Sequence, residues 1–221
     1  MKYRKYIMLL LIIITSYNLK SQIINEYGFK IAYTRSKINP KEKPYNTTWR
    51  PGINLAFFAE KNIYKILHTV VQIEYNSRGY KIESIETNDI GEEIQVVWAN
   101  TRLDYISAPF FLKIGNNNSK YKPFIQFGPR LDYLFNFKKG VYKYSWVQVS
   151  DEFPSLLLLN SFSFGSSLSF GFHLPIKYLE KISIEARYNN GFADLRSKPK
   201  YRDNLFFGKS VSYDFWVGFT F

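Results

Sequence analysis

From about residue 27 onward the chain alternates apolar and polar side chains in separate blocks, and a period of two is the signature of a β-strand with two unlike faces. The last block is long and regular. Val211, Tyr213, Phe215, Val217, Phe219 and Phe221 share one face, and Ser212, Asp214, Trp216, Gly218 and Thr220 share the other. Seven further blocks repeat the pattern. Residues 27–35 put Tyr27, Phe29, Ile31 and Tyr33 opposite Gly28, Lys30, Ala32 and Thr34, and residues 52–60 put Ile53, Leu55, Phe57 and Ala59 opposite Asn54, Phe58 and Glu60. Residues 66–81 oppose Leu67, Thr69, Val71, Ile73 and Tyr75 to His68, Gln72, Glu74, Asn76 and Arg78, with a slip of parity expected as a bulge near Gly79.

In residues 102–114 the alternation changes phase: Leu103 and Tyr105 join the greasy face first, then Ile106, Ala108, Phe110, Leu112 and Ile114. Pro109 within this block predicts a bulge or a locally broken ladder, because proline has no amide hydrogen to donate. Residues 122–135 set Ile125, Phe127, Leu131 and Tyr133 against Gln126, Gly128, Arg130 and Asp132. Residues 162–174 set Phe162, Phe164, Leu168, Phe170 and Phe172 against serines, glycines and His173, and residues 182–189 set Ile182, Ile184, Ala186 and Tyr188 against Ser183, Glu185, Arg187 and Asn189.

The connections alternate in length. Those at 61–65, 115–121 and 175–181 are short, whereas 36–51, 82–101, 136–161 and 190–210 are long. Eight antiparallel strands of roughly bilayer-spanning length, with short turns at one end and long loops at the other, predict an all-β fold. It is a transmembrane up-and-down barrel with its greasy face to lipid and its polar face inward. The stretches 141–149 and 156–159 are read as a β-excursion of the third long loop, and ten strands is the alternative count. Phe215, Val217, Phe219 and Phe221 are the expected C-terminal insertion signal, addressed to a barrel-assembly machinery.

The N-terminus fits secretion to that membrane. Lys2, Arg4 and Lys5 precede an unbroken apolar run, Ile7 to Ile14, and small and polar residues follow through Ser21. This is the layout of a signal peptide, too short to span a bilayer. The expected organisation is a signal peptide at 1–21 and a barrel at 22–221. The chain has no cysteine, which excludes a lipoprotein anchor, disulfides and thiolate metal sites. A mean hydropathy of −0.25 does not oppose insertion, because alternating strands hide from window averages. Aromatic residues make up 19% of the chain, which suits interfacial girdles. Taking away Lys2, Arg4, Lys5 and Lys20 lowers the formal charge from +12 to about +8. The basic residues are scattered, and a secreted barrel does not meet nucleic acid. Outer-membrane lipid and anionic lipopolysaccharide are the expected partners of that charge.

The inward faces carry the chemistry. Lys30, Arg78, Lys113, Arg130 and Arg187 are available to pair with Glu60, Glu74, Asp104, Asp132, Glu185 and Asp214. Eight strands leave an interior that side chains can fill, and buried ions must pair or hydrate. Near-balanced signs and bulky inward residues such as Phe58 and Trp216 predict a charged plug, with a narrow ion path as the alternative. An enzyme is disfavoured. The two histidines, His68 and His173, fall near the periplasmic rim. Ser169 lies four residues from His173, about 13 Å along a strand at ~3.3 Å per residue, too far for a nucleophile–base hydrogen bond. No catalytic, cofactor or metal residues are expected. Asn46-Thr47-Thr48 and Asn117-Asn118-Ser119 match a glycosylation pattern but read as loop and turn sequence.

The long loops are the expected functional surface. The second is acidic (Glu83, Glu86, Asp89, Glu92, Glu93), and the first (Lys37, Lys41, Lys43, Arg50) and fourth (Arg196, Lys198, Lys200, Arg202, Lys209) are basic. They suit electrostatic docking of a protein partner or a surface polyanion.

Three segments resemble a known family. Leu103-Asp-Tyr-Ile-Ser-Ala-Pro-Phe-Phe-Leu-Lys113 is similar to the aromatic, acidic, Ile-x-x-Pro strand of the PorT-like outer-membrane β-barrel family of Bacteroidetes-type bacteria. Lys122-Pro-Phe-Ile-Gln-Phe-Gly-Pro-Arg130 resembles the strand that follows it, and Ile184-Glu-Ala-Arg-Tyr188 the penultimate one. The resemblance implies an outer-membrane barrel with no catalytic residues to transfer. Its namesake takes part in a protein secretion system, so the resemblance implies an accessory subunit of an outer-membrane or secretion complex.

Overall fold

The structure, a computed structural model, describes residues 24–40, 46–87, 93–115, 121–143, 160–176, 179–192 and 208–221. The expected signal peptide and the stretches 144–149 and 156–159 lie outside them. Nine strands follow in chain order: β1 (Glu26–Pro40), β2 (Asn46–Thr48), β3 (Arg50–Tyr64), β4 (Leu67–Thr87), β5 (Glu93–Gly115), β6 (Pro123–Lys143), β7 (Phe162–Ile176), β8 (Leu179–Gly191) and β9 (Gly208–Thr220). Eight of them form one antiparallel ring. β1 pairs with β3 and β9, sequential neighbours pair from β3 through β9, and the β4–β5 and β1–β9 ladders close the barrel. The three-residue β2 adds to β4 at Thr48↔Lys81, beyond the last β3–β4 pair at Asn54↔Asn76.

Closure removes sheet edges and lets every spanning backbone group pair without water. The sorting of faces follows the alternation. Phe29, Ile31, Leu55, Phe57, Ile73, Phe110, Phe127, Phe170 and Phe215 project outward and exposed, Phe57 with 74% of its surface uncovered. Their neighbours Lys30, Ala32, Asn54, Ala56, Gln72, Phe111, Gln126, Ser169 and Trp216 are buried. Aromatic contacts gather at both ends of the lipid-facing band. Phe29 stacks on Phe219 at 4.9 Å near the short-turn end, and Tyr213 meets Trp49 at 5.3 Å and Tyr188 at 5.2 Å toward the other.

Three expectations need correction. First, the strands run further than their alternation. β4, β5 and β6 are 21, 23 and 21 residues long, against about 9–11 needed to cross a bilayer. Much of the second long loop is therefore hairpin, and residues 141–143 of the supposed excursion extend β6. Second, no bulge occurs against β5 at Gly79, where Arg78↔Leu103, Gly79↔Arg102 and Tyr80↔Thr101 keep one register. Gly79 instead takes a φ of 152°, a conformation that side-chain-bearing residues rarely adopt, where the β3–β4 ladder is interrupted and the Arg50 side chain packs against it. Third, β5 keeps one phase. Leu103 and Tyr105 face inward, both 2% exposed, and the irregularity sits on β6 as the extra residue Phe135 between the pairs Asp104↔Asn136 and Tyr105↔Leu134. At Pro109 the ladder to β4 is interrupted with its register intact.

Candidate functional site: a filled interior and a polar outer wall

Side chains from all eight spanning strands fill the lumen in layers. Near the short turns, Lys113 on β5 donates to Glu60 on β3 at 2.6 Å and meets His173 Nε2 on β7 at 2.9 Å. Glu60 also lies 3.0 Å from His68 Nδ1, and Phe124 stacks on His173. Gly171 leaves room for the Phe124 ring, since a Cβ there would stand 2.5 Å from it.

Deeper, Arg187 on β8 donates to Glu185 at 2.8 Å, to Gln72 at 3.0 Å and to Glu74 at 2.5 Å. Lys30 on β1 and Gln126 on β6 also donate to Glu185, at 2.7 and 2.8 Å. Counted around the ring, β8 and β4 stand on opposite walls, so the Arg187–Glu74 bond crosses the whole lumen. Its guanidinium lies 4.7 Å from the Trp216 ring of β9 and 4.8 Å from the Phe111 ring of β5, again opposite walls. Such stacking is worth about 2 kcal/mol or more where water is excluded.

Above this layer Asp132 accepts from Arg78 at 3.0 Å, from Arg130 at 2.9 Å and from Ser107 at 2.5 Å. Arg130 continues through Ser167 and Asn189 to Asp214, which Thr34 also holds. The outer end of the lumen is apolar: Ile38, Leu103, Tyr105 and Leu134 pack together, with Tyr80 and Phe137 against them.

Of the interior residues expected from sequence, Lys30, Glu74, Arg78, Arg130, Asp132, Glu185, Arg187 and Asp214 thus lie in the lumen. Asp104 does not. It shares the outward parity of Ile106 and Phe110, and it is bonded by outward-facing partners: Arg102 at 2.8 Å, Tyr75 at 3.1 Å and Asn136 at 2.8 Å. Its burial comes from these neighbours, and the retained phase of β5 is the reason. Alternation alone also does not reveal the aromatic rings that, besides those at Arg187, lie against three more inward cations: Lys30 over Phe58, Lys113 over Phe124 and Arg78 over Tyr105. The inward parity of Phe111 and Phe124 was the available signal.

His68 and His173 are engaged with Glu60, Asn62 and Lys113, and the Ser169 hydroxyl makes no hydrogen bond. Among the described residues no group of three or more metal-ligating side chains is placed to hold an ion. Among the described residues no helix is long and apolar enough to cross a membrane. Asn46-Thr47-Thr48 forms β2, and the second glycosylation-like triplet lies outside the described residues. Phe219 and Phe221 of the expected insertion signal face outward against Phe29 and Tyr27, and the Phe221 amide donates to Tyr27 O at 2.9 Å.

A closed antiparallel ring, greasy outside and ion-paired inside, defines an integral membrane β-barrel of the outer-membrane type. The comparison of families agrees: the outer membrane protein beta-barrel domain matches residues 20–197, and the chain belongs to that family. Its place is the outer membrane. No curated protein sequence matches it. Among solved structures it is similar to Neisserial surface protein A (12% identity over 89% of this chain and 97% of that one, TM-score 0.46). It is likewise similar to OprG of Pseudomonas aeruginosa (10%, 90% and 97%, TM-score 0.48) and to Ail of Yersinia pestis (10%, 90% and 100%, TM-score 0.39).

Proposed function

We propose that the protein is a closed, non-enzymatic scaffold of the outer membrane that holds its long strand ends outside for a protein partner, as an accessory subunit of a larger outer-membrane or secretion complex. The observation that carries the closed reading is Arg187, which bonds the opposite wall and is clamped between Trp216 and Phe111. Removing such a group from its carboxylates leaves buried charge unpaired, so the bridge resists opening. A narrow ion path is the reading this bridge opposes.

The scaffold half rests on the unequal strands. The β4–β5 hairpin, with the end of β6 paired to it, carries polar, charged sequence well past the lipid-facing band, a stiff platform for recognition. The PorT-like resemblance supports the assignment to a complex. Photoreactive residues placed at positions 86 and 141 and activated in intact cells are expected to trap a discrete protein. The same probe at Lys61, at the short-turn end, is the comparison. Adducts no different from those at Lys61 would remove the scaffold reading, and lipid or peptide turnover lost on His173→Ala would overturn the non-enzymatic one.

A further inference from the structure

We infer that the outer-wall groove over the interrupted β3–β4 ladder binds a phosphate-bearing lipid of the outer leaflet. The inference rests on the outer-membrane placement and stands whether or not the interior conducts.

Beyond Asn54↔Asn76 the ladder is interrupted until β2 resumes it at Thr48↔Lys81, with Gly52 still packed on the Ser77 backbone, and an open groove of about 520 Å3 lies over this seam on the outer wall. Tyr33, Ile53 and Tyr75 line it where it continues the lipid-facing band, and Arg50 and Arg102 stand at its other end. Arg102 is fixed by Asp104 and by the Tyr75 hydroxyl at 2.7 Å, while 41% of its side chain remains exposed. Arg50 is braced by Asn100 at 3.2 Å and by the Arg78 carbonyl at 3.3 Å. Directly across the β5–β6 ladder from Arg102, Lys138 is exposed on the same outer face. Among the described residues, three cations therefore share this part of the lipid-abutting wall with one carboxylate, Asp104.

Such a surplus calls for an anion, and guanidinium forks match phosphate oxygens in pairs. The groove opens sideways at the level of aromatic residues, where headgroups lie, and its apolar floor offers Tyr33 and Ile53 to an acyl chain. A phosphorylated lipid satisfies both ends at once. A soluble polyanion would use only the cations.

The test uses the purified, folded chain in phosphatidylcholine nanodiscs doped with diphosphorylated lipid A or with its dephosphorylated form, and counts the lipid retained after detergent washing by native mass spectrometry. Wild type is expected to retain the phosphorylated form selectively. Arg102→Gln with Lys138→Gln should lower retention by about tenfold. Lys61→Gln with Lys122→Gln, the same charge loss at the other end, should leave it unchanged. Equal retention of the two lipid forms overturns the site, as does an equal loss from the opposite-end pair. Full displacement by inorganic phosphate also overturns it, because that marks a free-anion site. Each variant is checked for the folded band on unheated gels. If the double variant does not fold, Lys138→Gln alone should still reduce retention, and no reduction overturns the proposal. None of these outcomes bears on Arg187 and the closed lumen.

Discussion

The tetrapeptide Arg-Leu-Asp-Tyr occurs twice, at 102–105 on β5 and at 130–133 on β6, and the two copies face opposite ways. In both, the arginine bonds the aspartate two residues on, at 2.8 Å for Arg102–Asp104 and 2.9 Å for Arg130–Asp132, as expected for side chains on one face of a strand. In the second copy that pair lies in the lumen with Arg78, while Leu131 and Tyr133 meet lipid. In the first copy the pair lies on the outer wall, while Leu103 and Tyr105 form part of the apolar outer cap of the lumen. Identical local chemistry thus serves two opposite solvents. What decides is the register each copy inherits from the rest of its strand: Ile106, Ala108 and Phe110 fix the outward parity of β5, and the extra residue Phe135 lets β6 adjust beside it.

This contrast can be broken most forcefully at the lumen. Arg187→Ala leaves Glu74 and Glu185 short of their main cation, and Arg130→Ala weakens the hold on Asp132. Each is expected to cost about 3–5 kcal/mol in reversible urea unfolding from lipid vesicles. Arg102→Ala, the matching change in the outward copy, should cost about 1 kcal/mol or less, because Arg102 is itself 41% exposed and Asp104 keeps Tyr75 and Asn136 as donors. A loss as large as that of Arg130→Ala would mean that the two copies share a face.

The leucines give the inverse ranking. Leu103→Ala opens a cavity among Ile38, Tyr105 and Leu134 and should cost about 2–5 kcal/mol, whereas lipid can follow the surface at Leu131→Ala and keep its cost to about 1 kcal/mol. Similar losses at both would remove the apolar cap from the account. A smaller effect is expected at the closing seam. Phe221→Ala gives up the Tyr27 and Phe29 contacts and should lower the yield of assembled barrel in cells more than the stability of barrel already folded. An unchanged yield would show that Phe221 is no insertion signal.

Period two was enough to find the eight spanning strands and, on most of them, which side chains point inward. Lys30, Arg187 and Asp132 could be read as lumenal because each is flanked by lipid-compatible residues. The face of Leu103 and Tyr105 could not be read this way, since an apolar side chain suits both lipid and a dry cap inside the barrel. The long ends of β4, β5 and β6 were hidden for a different reason. Outside the bilayer both faces of a strand meet water, so segments such as Glu83-Ser84-Ile85-Glu86-Thr87 need not alternate strictly. The partners across the lumen were also beyond the pattern. Alternation assigns a face, but only closure and stagger of the ring bring β8 Arg187 to β4 Glu74 or stack it between Trp216 and Phe111. The groove between β3 and β4 depends on where a ladder ends, which no single strand records.

The closed lumen is tested most directly by planar-bilayer recording of the purified, folded chain in symmetric salt. The Arg187 bridge predicts a flat baseline with no reproducible unit steps at moderate voltage. A stable unit conductance, proportional to the number of inserted barrels and altered by Arg187→Ala, would contradict the plug and establish a pore through the charge network.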